Sequence, residues 1–166
     1  MKTSKFIYQF GLLTGLVNMI YGVMKFMLGT HYENDVVSQV VGAVILIGGI
    51  VLGQLAFRKE NNGLVSFKEC LRIGVGIGLV TAIISLLYYF ILTNIVEPDF
   101  NIKALEIGYA KTIESNPEIA SQMTQQQFID NSLPFMWIAY PAIIMVTLFF
   151  SLMFSLCTGI IIKKSE

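Results

Sequence analysis

Residues that carry metal and covalent chemistry are scarce in this sequence. Its 166 residues include a single histidine, His31, and the acids nearest to it, Glu33 and Asp35, do not complete a convincing ligand set. The sequence has no nucleophile elbow, P-loop, CxxC or HExxH motif, and no pair of carboxylates lies inside an apolar run. It therefore predicts no metal site, no cofactor and no catalytic centre.

Charge is also scarce. Only 13% of the residues are charged and 55% are hydrophobic, which excludes an ordinary soluble domain. The formal net charge of zero gives no indication of a nucleic-acid partner. A membrane-spanning helix needs roughly 20 mostly apolar residues, and four windows are that long: 6–28, 36–57, 71–96 and 134–162. We expect an all-α integral membrane protein, a single four-helix transmembrane domain over residues 1–166, surrounded by the lipid bilayer.

The few charges are sorted among the connections between these windows. Most Lys and Arg residues lie at the N-terminus, between the second and third windows, or at the C-terminus: Lys2, Lys5, Arg58, Lys59, Lys68, Arg72, Lys163 and Lys164. Most acids lie in the other two connections: Glu33, Asp35, Glu97, Asp99, Glu106, Glu114, Glu118 and Asp130. Because the inner face of a membrane retains Lys and Arg in short loops, both termini are predicted to be cytoplasmic. Cys70 and Cys157 then lie near cytoplasmic helix ends, where we expect free thiols.

The second outer connection, residues 97–133, is predicted to form short helices rather than a long loop. One apolar stripe at helical spacing is made by Ile102, Leu105, Tyr109 and Ile113. Further along, Asn116 followed by Pro117 is typical of a helix start. We expect this segment to cover the mouth of the bundle or to lie along the membrane interface.

Helix starts and one kink are also predicted from local motifs. Ser66 with Glu69 has the form of a capping box and predicts the start of the third helix on the inner side. Thr124 with Gln127 repeats this form in the outer connection. Pro141, inside the fourth window, predicts a kink in its outer third.

The first window carries a polar face inside the membrane. Thr14, Asn18, Tyr21 and Lys25 follow one another at helical spacing. Since an unpaired polar group is costly in hydrocarbon, this face is a candidate functional site. The structural alternative is one interhelical hydrogen bond from Asn18 and a Lys25 side chain that reaches the headgroups.

Glycines recur on single faces of the first three windows. The candidate helix-packing residues are Gly11, Gly15, Gly22, Gly42, Gly49, Gly53, Gly74 and Gly78. Small residues at such spacings let membrane helices approach closely. Packing within the chain is the first interpretation, a homodimer face is the second, and a permeation path is the third.

One segment resembles a known family. The sequence LVSFKECLRIG, residues 64–74, lies between the second and third windows and is followed by a glycine-rich helix. It resembles the corresponding segment of an uncharacterised family of four-helix Bacteroidetes membrane proteins, catalogued as a domain of unknown function. The resemblance covers most of the chain and implies an inner-membrane protein of a Gram-negative bacterium, with the outer connection in the periplasm. It implies no catalytic or binding residues.

The sequence favours an accessory or scaffold protein that binds another membrane component. We expect it to bind through its glycine-lined faces or its helical periplasmic segment, either to a second copy of the chain or to another membrane protein. The alternative is a small dimeric transporter or channel whose path is lined by the polar face of the first helix. A membrane enzyme is the third hypothesis, and it would need acids of the outer connection to converge on a cleft.

Overall fold

The computed structural model describes residues 2–32 and 35–164, and nearly all of them are helical. The elements are α1 (Ser4–Met27), α2 (Val36–Glu60), α3 (Phe67–Ile91) continued by a π-helical turn (Leu92–Val96), α4 (Phe100–Ser115), α5 (Ile119–Gln122), α6 (Gln125–Ser132), a 3₁₀ helix (Leu133–Ile138) and α7 (Ala139–Ile162). The described residues contain no β-strand. Val65 and Lys164 exchange an isolated pair of backbone hydrogen bonds, each 2.9 Å long.

Four stretches of helix are long and apolar enough to cross a membrane. They are Ser4–Met27, Val36–Glu60, Phe67–Val96 and Gln125–Ile162. This confirms the predicted all-α membrane fold, with short helices between the third and fourth spans. The protein is therefore a multi-pass membrane protein whose apolar helices contact lipid.

The bundle has two distinct ends. Lys5 in the first turns of α1 forms an ion pair with Glu60, the last residue of α2, at a distance of 3.0 Å from Nζ to Oε2. The backbone pair of Val65 and Lys164 brings the end of α7 to the connection between α2 and α3. We call this end, which carries the described residues nearest to both termini, the terminal end. The opposite end, from which α4 to α6 extend, is the cap end.

Both predicted capping boxes are confirmed. At the start of α3, the Ser66 hydroxyl accepts a hydrogen bond from the Glu69 N–H, and the Glu69 carboxylate accepts one from the Ser66 N–H. Thr124 and Gln127 make the same reciprocal pair at the start of α6. These short-range bonds satisfy N–H groups that have no acceptor within the helix.

One prediction from proline was wrong, and the helix around Pro141 differs in type from the one predicted. Asn116 is not an N-cap, because its N–H still donates to Thr112 O of α4 at 2.8 Å, and α5 begins only at Ile119. Pro141 does not interrupt an α-helix, since the chain is 3₁₀-helical up to Ile138 and Pro141 falls in the first turn of α7. The change from a 3₁₀ helix to an α-helix thus falls just before Pro141, where the sequence predicted a kink.

The tightly packed core lies in the terminal half of the bundle. α3 is the central helix and packs most extensively against α1 and α7, while α2 packs against α1 and α3. The fully buried side chains include Phe6, Ile50, Phe57, Ile73 and Ile77, and the rings of Phe6 and Phe57 meet edge to face with centroids 5.4 Å apart. Each of these residues lies in the part of its helix nearer the terminal end, so the packing is densest there.

The eight glycines singled out from the sequence lie against other helices of the same chain. Gly11, Gly15 and Gly22 face Val80, Ile84 and Tyr88 of α3, Gly49 faces Thr14, Gly53 faces Ile77, Gly74 and Gly78 face Ser155 and Ser151 of α7, and Gly42 lies near the Asn18 side chain. At all of these except Gly42, a Cβ atom would come within 3.0 Å of the facing side chain. Seven of these eight glycine notches are thus filled by neighbouring helices of the bundle.

Candidate functional site

The polar face of α1 begins with two residues that hydrogen-bond within their own helix. Thr14 Oγ1 donates to Phe10 O at 2.6 Å, and Asn18 Nδ2 donates to Thr14 O at 3.3 Å. The structural alternative assigned Asn18 a bond to another helix, and this detail was wrong. The Asn18 side chain lies beside Gly42 of α2.

The other two residues of this face contact the start of α2. Tyr21 OH donates to Ser38 Oγ at 3.2 Å, and Lys25 Nζ donates to Ser38 Oγ at 2.6 Å and to Asp35 Oδ2 at 3.0 Å. Asp35 also caps α2 by accepting from the Ser38 N–H at 2.7 Å. The Ser38 hydroxyl, the Ser38 N–H and then Lys25 hold the pKa of Asp35 well below its ordinary value. The Lys25 side chain is 13% exposed and is held by Asp35 and Ser38 at the start of α2.

A cleft of about 460 Å³ lies in the middle and cap half of the bundle. All four long helices contribute to its lining. The polar lining residues are Asn18, Gln39, Thr81, Ser85 and Thr147. Apolar walls are formed by residues that include Leu46 of α2 and Val146, Phe150 and Phe154 of α7. Val146 and Phe150 are 54% and 46% exposed, so the cleft communicates with the surroundings of the bundle.

The cleft exists because α2 and α7 come together only toward the terminal end. The buried residues of α7 begin at Ser151 and continue to Ile162, whereas Val146, Thr147 and Phe150 are not buried. On α2, the buried residues run from Leu46 to Phe57, and the preceding turns from Val36 to Ile45 contain none. The cap halves of these two helices are therefore left without a helix between them.

Two hydroxyl groups in the lining have no hydrogen-bond partner among the described residues. In other parts of the spans, serine and threonine hydroxyls donate to the carbonyl four residues earlier: Thr14, Thr93, Ser151, Ser155 and Thr158. Thr81 donates across to Gly11 O of α1 at 3.4 Å. Ser85 and Thr147 do neither, and both line the cleft. These two hydroxyls are available to a bound molecule.

A second polar cluster lies at the cap end, around Glu97. Its carboxylate contacts His31 Nε2 at 2.9 Å and accepts hydrogen bonds from Lys103 Nζ, at 2.6 Å, and from the Tyr32 hydroxyl. The bonds from Lys103, Tyr32 and His31 lower the pKa of Glu97 to about 2. Burial and the neighbouring Glu97 carboxylate raise the pKa of Tyr32, and Glu97 and Tyr32 raise that of Lys103.

Aromatic rings enclose His31 in this cluster. Its ring centroid lies 3.9 Å from that of Tyr32, 4.9 Å from Phe26 and 5.8 Å from Phe100. The His31 side chain is only 8% exposed. Glu33, one of the two acids considered with it as metal ligands, lies outside the described residues. Among the residues that the structure does describe, no group of three His, Cys, Asp or Glu side chains could hold a metal ion.

Comparison with protein families gives one result that covers almost the whole chain. Residues 9–164 match the family described as a protein of unknown function, DUF4199. The chain belongs to this family. The resemblance drawn from residues 64–74 to a family of unknown function is thereby confirmed. No curated protein and no solved structure matches the chain.

The family assigns no chemistry, so the site residues rest on geometry alone. Sequence reasoning named Asn18 but missed Gln39 and Thr147, which line the same cleft. It also missed Gln54, which is fully buried and donates from Nε2 to Cys70 O at 3.1 Å. For Gln39 and Gln54, the available signal was a glutamine inside an apolar window. For the pairing of His31 with Glu97 there was no local signal, because these residues are 66 positions apart.

Proposed function

We propose that this protein is an accessory subunit of the bacterial inner membrane that binds another membrane component in the cleft between α2 and α7. The observation that carries the proposal is the cleft itself, an opening with polar groups at the depth of the membrane. Polar groups that face hydrocarbon without a partner are unfavourable. An occupant that satisfies them and fills the cleft would therefore be favoured over bulk lipid chains.

Seven of the eight glycines do not line the cleft. In the sequence, glycine-lined faces were one candidate for contact with a partner. These glycines instead face side chains of the same chain, for example Gly74 against Ser155 and Gly49 against Thr14. Except for Gly42, which lines the cleft, these glycines could contact a second copy or another protein only if the bundle separated. The cleft needs no such rearrangement.

The alternative, a small dimeric transporter or channel, receives less support from the contacts of α1. It requires Thr14, Asn18, Tyr21 and Lys25 to line one path. Tyr21 and Lys25 are bonded to Ser38 and Asp35 within the α1–α2 hairpin, and Thr14 is 3% exposed against Gly49. Asn18 is the member of this face that lines the cleft.

Site-specific photo-crosslinking tests the proposal. A photoreactive diazirine amino acid would be introduced at Val146, which lines the cleft, and in a matched variant at the adjacent Met145, which does not line it and is 70% exposed. We expect position 146 to give a discrete adduct in native membranes, whereas position 145 gives only the diffuse products of bulk lipid. Indistinguishable products from the two positions would contradict the proposal.

A further inference from the structure

The hydroxyls of Ser85 and Thr147 give the cleft hydrogen-bond donors on two facing helices. Ser85 belongs to α3 and Thr147 to α7, and neither side chain bonds to another described residue. In a helix a serine or threonine ordinarily donates to the carbonyl four residues earlier, as Thr158 does to Phe154 O at 2.8 Å. An acceptor group between α3 and α7 would satisfy both hydroxyls.

Charged ligands do not match this lining. Among the described residues, the cleft is lined by amides, hydroxyls and apolar side chains, and by no Asp, Glu, Lys or Arg. A phosphate or ammonium group would lose its hydration without gaining an ion pair, which is strongly unfavourable. The occupant is therefore neutral.

The size of the cleft favours a small molecule over a helix. Its volume of about 460 Å³ falls in the range of roughly 300–1,000 Å³ that is typical of small-molecule sites. Two turns of an α-helix about 10 Å across occupy roughly 800 Å³, so even a short piece of a partner helix would not fit inside. One apolar chain or ring with a compact polar group would.

The depth of the polar lining residues in the membrane restricts the ligand further. Thr147 lies eight residues after α7 begins at Ala139, which is about 12 Å along the axis at 1.5 Å per residue. Asn18 lies nine residues before α1 ends at Met27, or about 13 Å. In a hydrocarbon layer about 30 Å thick, these groups lie well below the headgroups. The polar group of the ligand must therefore enter the apolar part of the membrane.

Building on the proposed function, we infer that the cleft binds a neutral membrane lipid whose carbonyl oxygens accept hydrogen bonds from Ser85 and Thr147. Two sources share this chemistry: the ester carbonyls of a diacylglycerol and the ring carbonyls of a lipid-soluble quinone. Asn18 adds a further amide group to the same lining. The aromatic rings of Phe150 and Phe154 supply an apolar wall for the body of the lipid.

Binding to the full chain in mild detergent tests the inference. Dioleoylglycerol, a short-chain ubiquinone and dioleoyl phosphatidylglycerol would be titrated separately, with native mass spectrometry and the thermal unfolding temperature as readouts. Replacement of both hydroxyls, Ser85→Ala with Thr147→Val, should weaken binding of the neutral lipid about tenfold or more, since two hydrogen bonds are lost. Thr147→Ser keeps a hydroxyl and should retain binding. Thr158→Val makes the same change in the same helix outside the cleft lining and should leave affinity unchanged.

The outcomes separate the two lipid sources and the two proposals. If only dioleoylglycerol binds, and its binding depends on the two hydroxyls, the ligand is a lipid with ester carbonyls. If only the quinone binds in this way, the ligand is a quinone with ring carbonyls. Either result supports the inference. Equal or tighter binding of phosphatidylglycerol, or neutral-lipid binding that survives the double substitution, overturns it. A discrete protein adduct from position 146 without neutral-lipid binding overturns the inference and leaves the proposed function standing. If position 146 gives no discrete adduct and no neutral lipid binds, both the inference and the proposed function are contradicted.

Discussion

At the scale of single residues, Glu97 joins two connections at the cap end. It is bonded to His31 and Tyr32, from the connection between α1 and α2, and to Lys103 of α4. The Glu97 and His31 side chains are 15% and 8% exposed, so the bond between them is shielded from solvent more than an ordinary surface pair is, whereas Lys103 is 48% exposed. Since bonds to an ionised carboxylate are stronger than bonds between neutral groups, Glu97 holds α4 against the α1–α2 hairpin.

Glu97 should make stability depend on pH in acid. Its pKa is lowered from 4.5 to about 2 in the folded protein. A carboxyl group with a depressed pKa stabilises the fold fully above its ordinary pKa, and this contribution is lost as the pH falls toward the folded value. We therefore expect Glu97→Gln to lower the thermal unfolding temperature by a few degrees at pH 7, and to flatten its decrease between about pH 4.5 and pH 2.

Thermal unfolding in detergent across this pH range measures the effect. Glu114→Gln is the matched control, because Glu114 is exposed on the same outer segment and should leave the profile unchanged. Asp35, whose pKa is also depressed, remains in both variants and keeps part of the acid dependence. An unaltered profile for Glu97→Gln would show that the cluster does not couple folding to this carboxylate.

At the scale of helices, hydroxyl-bearing side chains fill three of the glycine notches. Gly49 of α2 receives Thr14 of α1, and Gly74 and Gly78 of α3 receive Ser155 and Ser151 of α7. Each of these hydroxyls donates to the carbonyl four residues earlier in its own helix. Each hydroxyl therefore has its hydrogen-bond acceptor within its own helix, and close packing stabilises the contact between the helices.

Gly49 gives a direct test of this packing. Gly49→Ala places a methyl group into Thr14 and should destabilise the protein by about 1–3 kcal/mol, as overpacking of a core does. The neighbouring Gly48 is the matched control, because nothing lies within 4 Å of a Cβ there. Unfolding in mixed detergent would measure both free energies. Thr14→Ala should recover much of the loss in the Gly49→Ala background, and failure of this rescue would contradict the contact.

At the scale of the whole molecule, the orientation in the membrane remains a prediction. The basic residues Arg58, Lys59, Lys68 and Arg72 lie in or beside the connection between α2 and α3, at the terminal end. Since positive charges in short loops stay in the cytoplasm, we expect a green fluorescent protein fused after residue 166 to fluoresce. Alkaline phosphatase inserted near Ser121, in the exposed part of α5, should be active because it reaches the periplasm. The opposite result, a fusion that does not fluoresce and an inactive phosphatase, would show that the topology is inverted.

The spans and several helix starts could be predicted because their signals are local. Hydrocarbon thickness fixes the length of an apolar run, and a capping box such as Ser66 with Glu69 depends on residues three positions apart. Which side chains contact one another across the bundle could not be predicted in this way. Ser85 and Ser151 are both serines within apolar helices, yet Ser151 packs into the Gly78 notch and Ser85 lines a cleft. Only the arrangement of the helices distinguishes them.

The terminal end is completed late in protein synthesis, because one of its hydrogen bonds needs the end of α7. Arg58 Nη1 donates to Ile162 O at 3.4 Å, although the two residues are 104 positions apart. The ribosome has therefore made α1, α2 and α3 long before α7 can close against them. α7 also forms one wall of the cleft, so a nascent chain of three helices lacks it. The cleft is therefore complete only after the last helix has been translated and has packed against the other three.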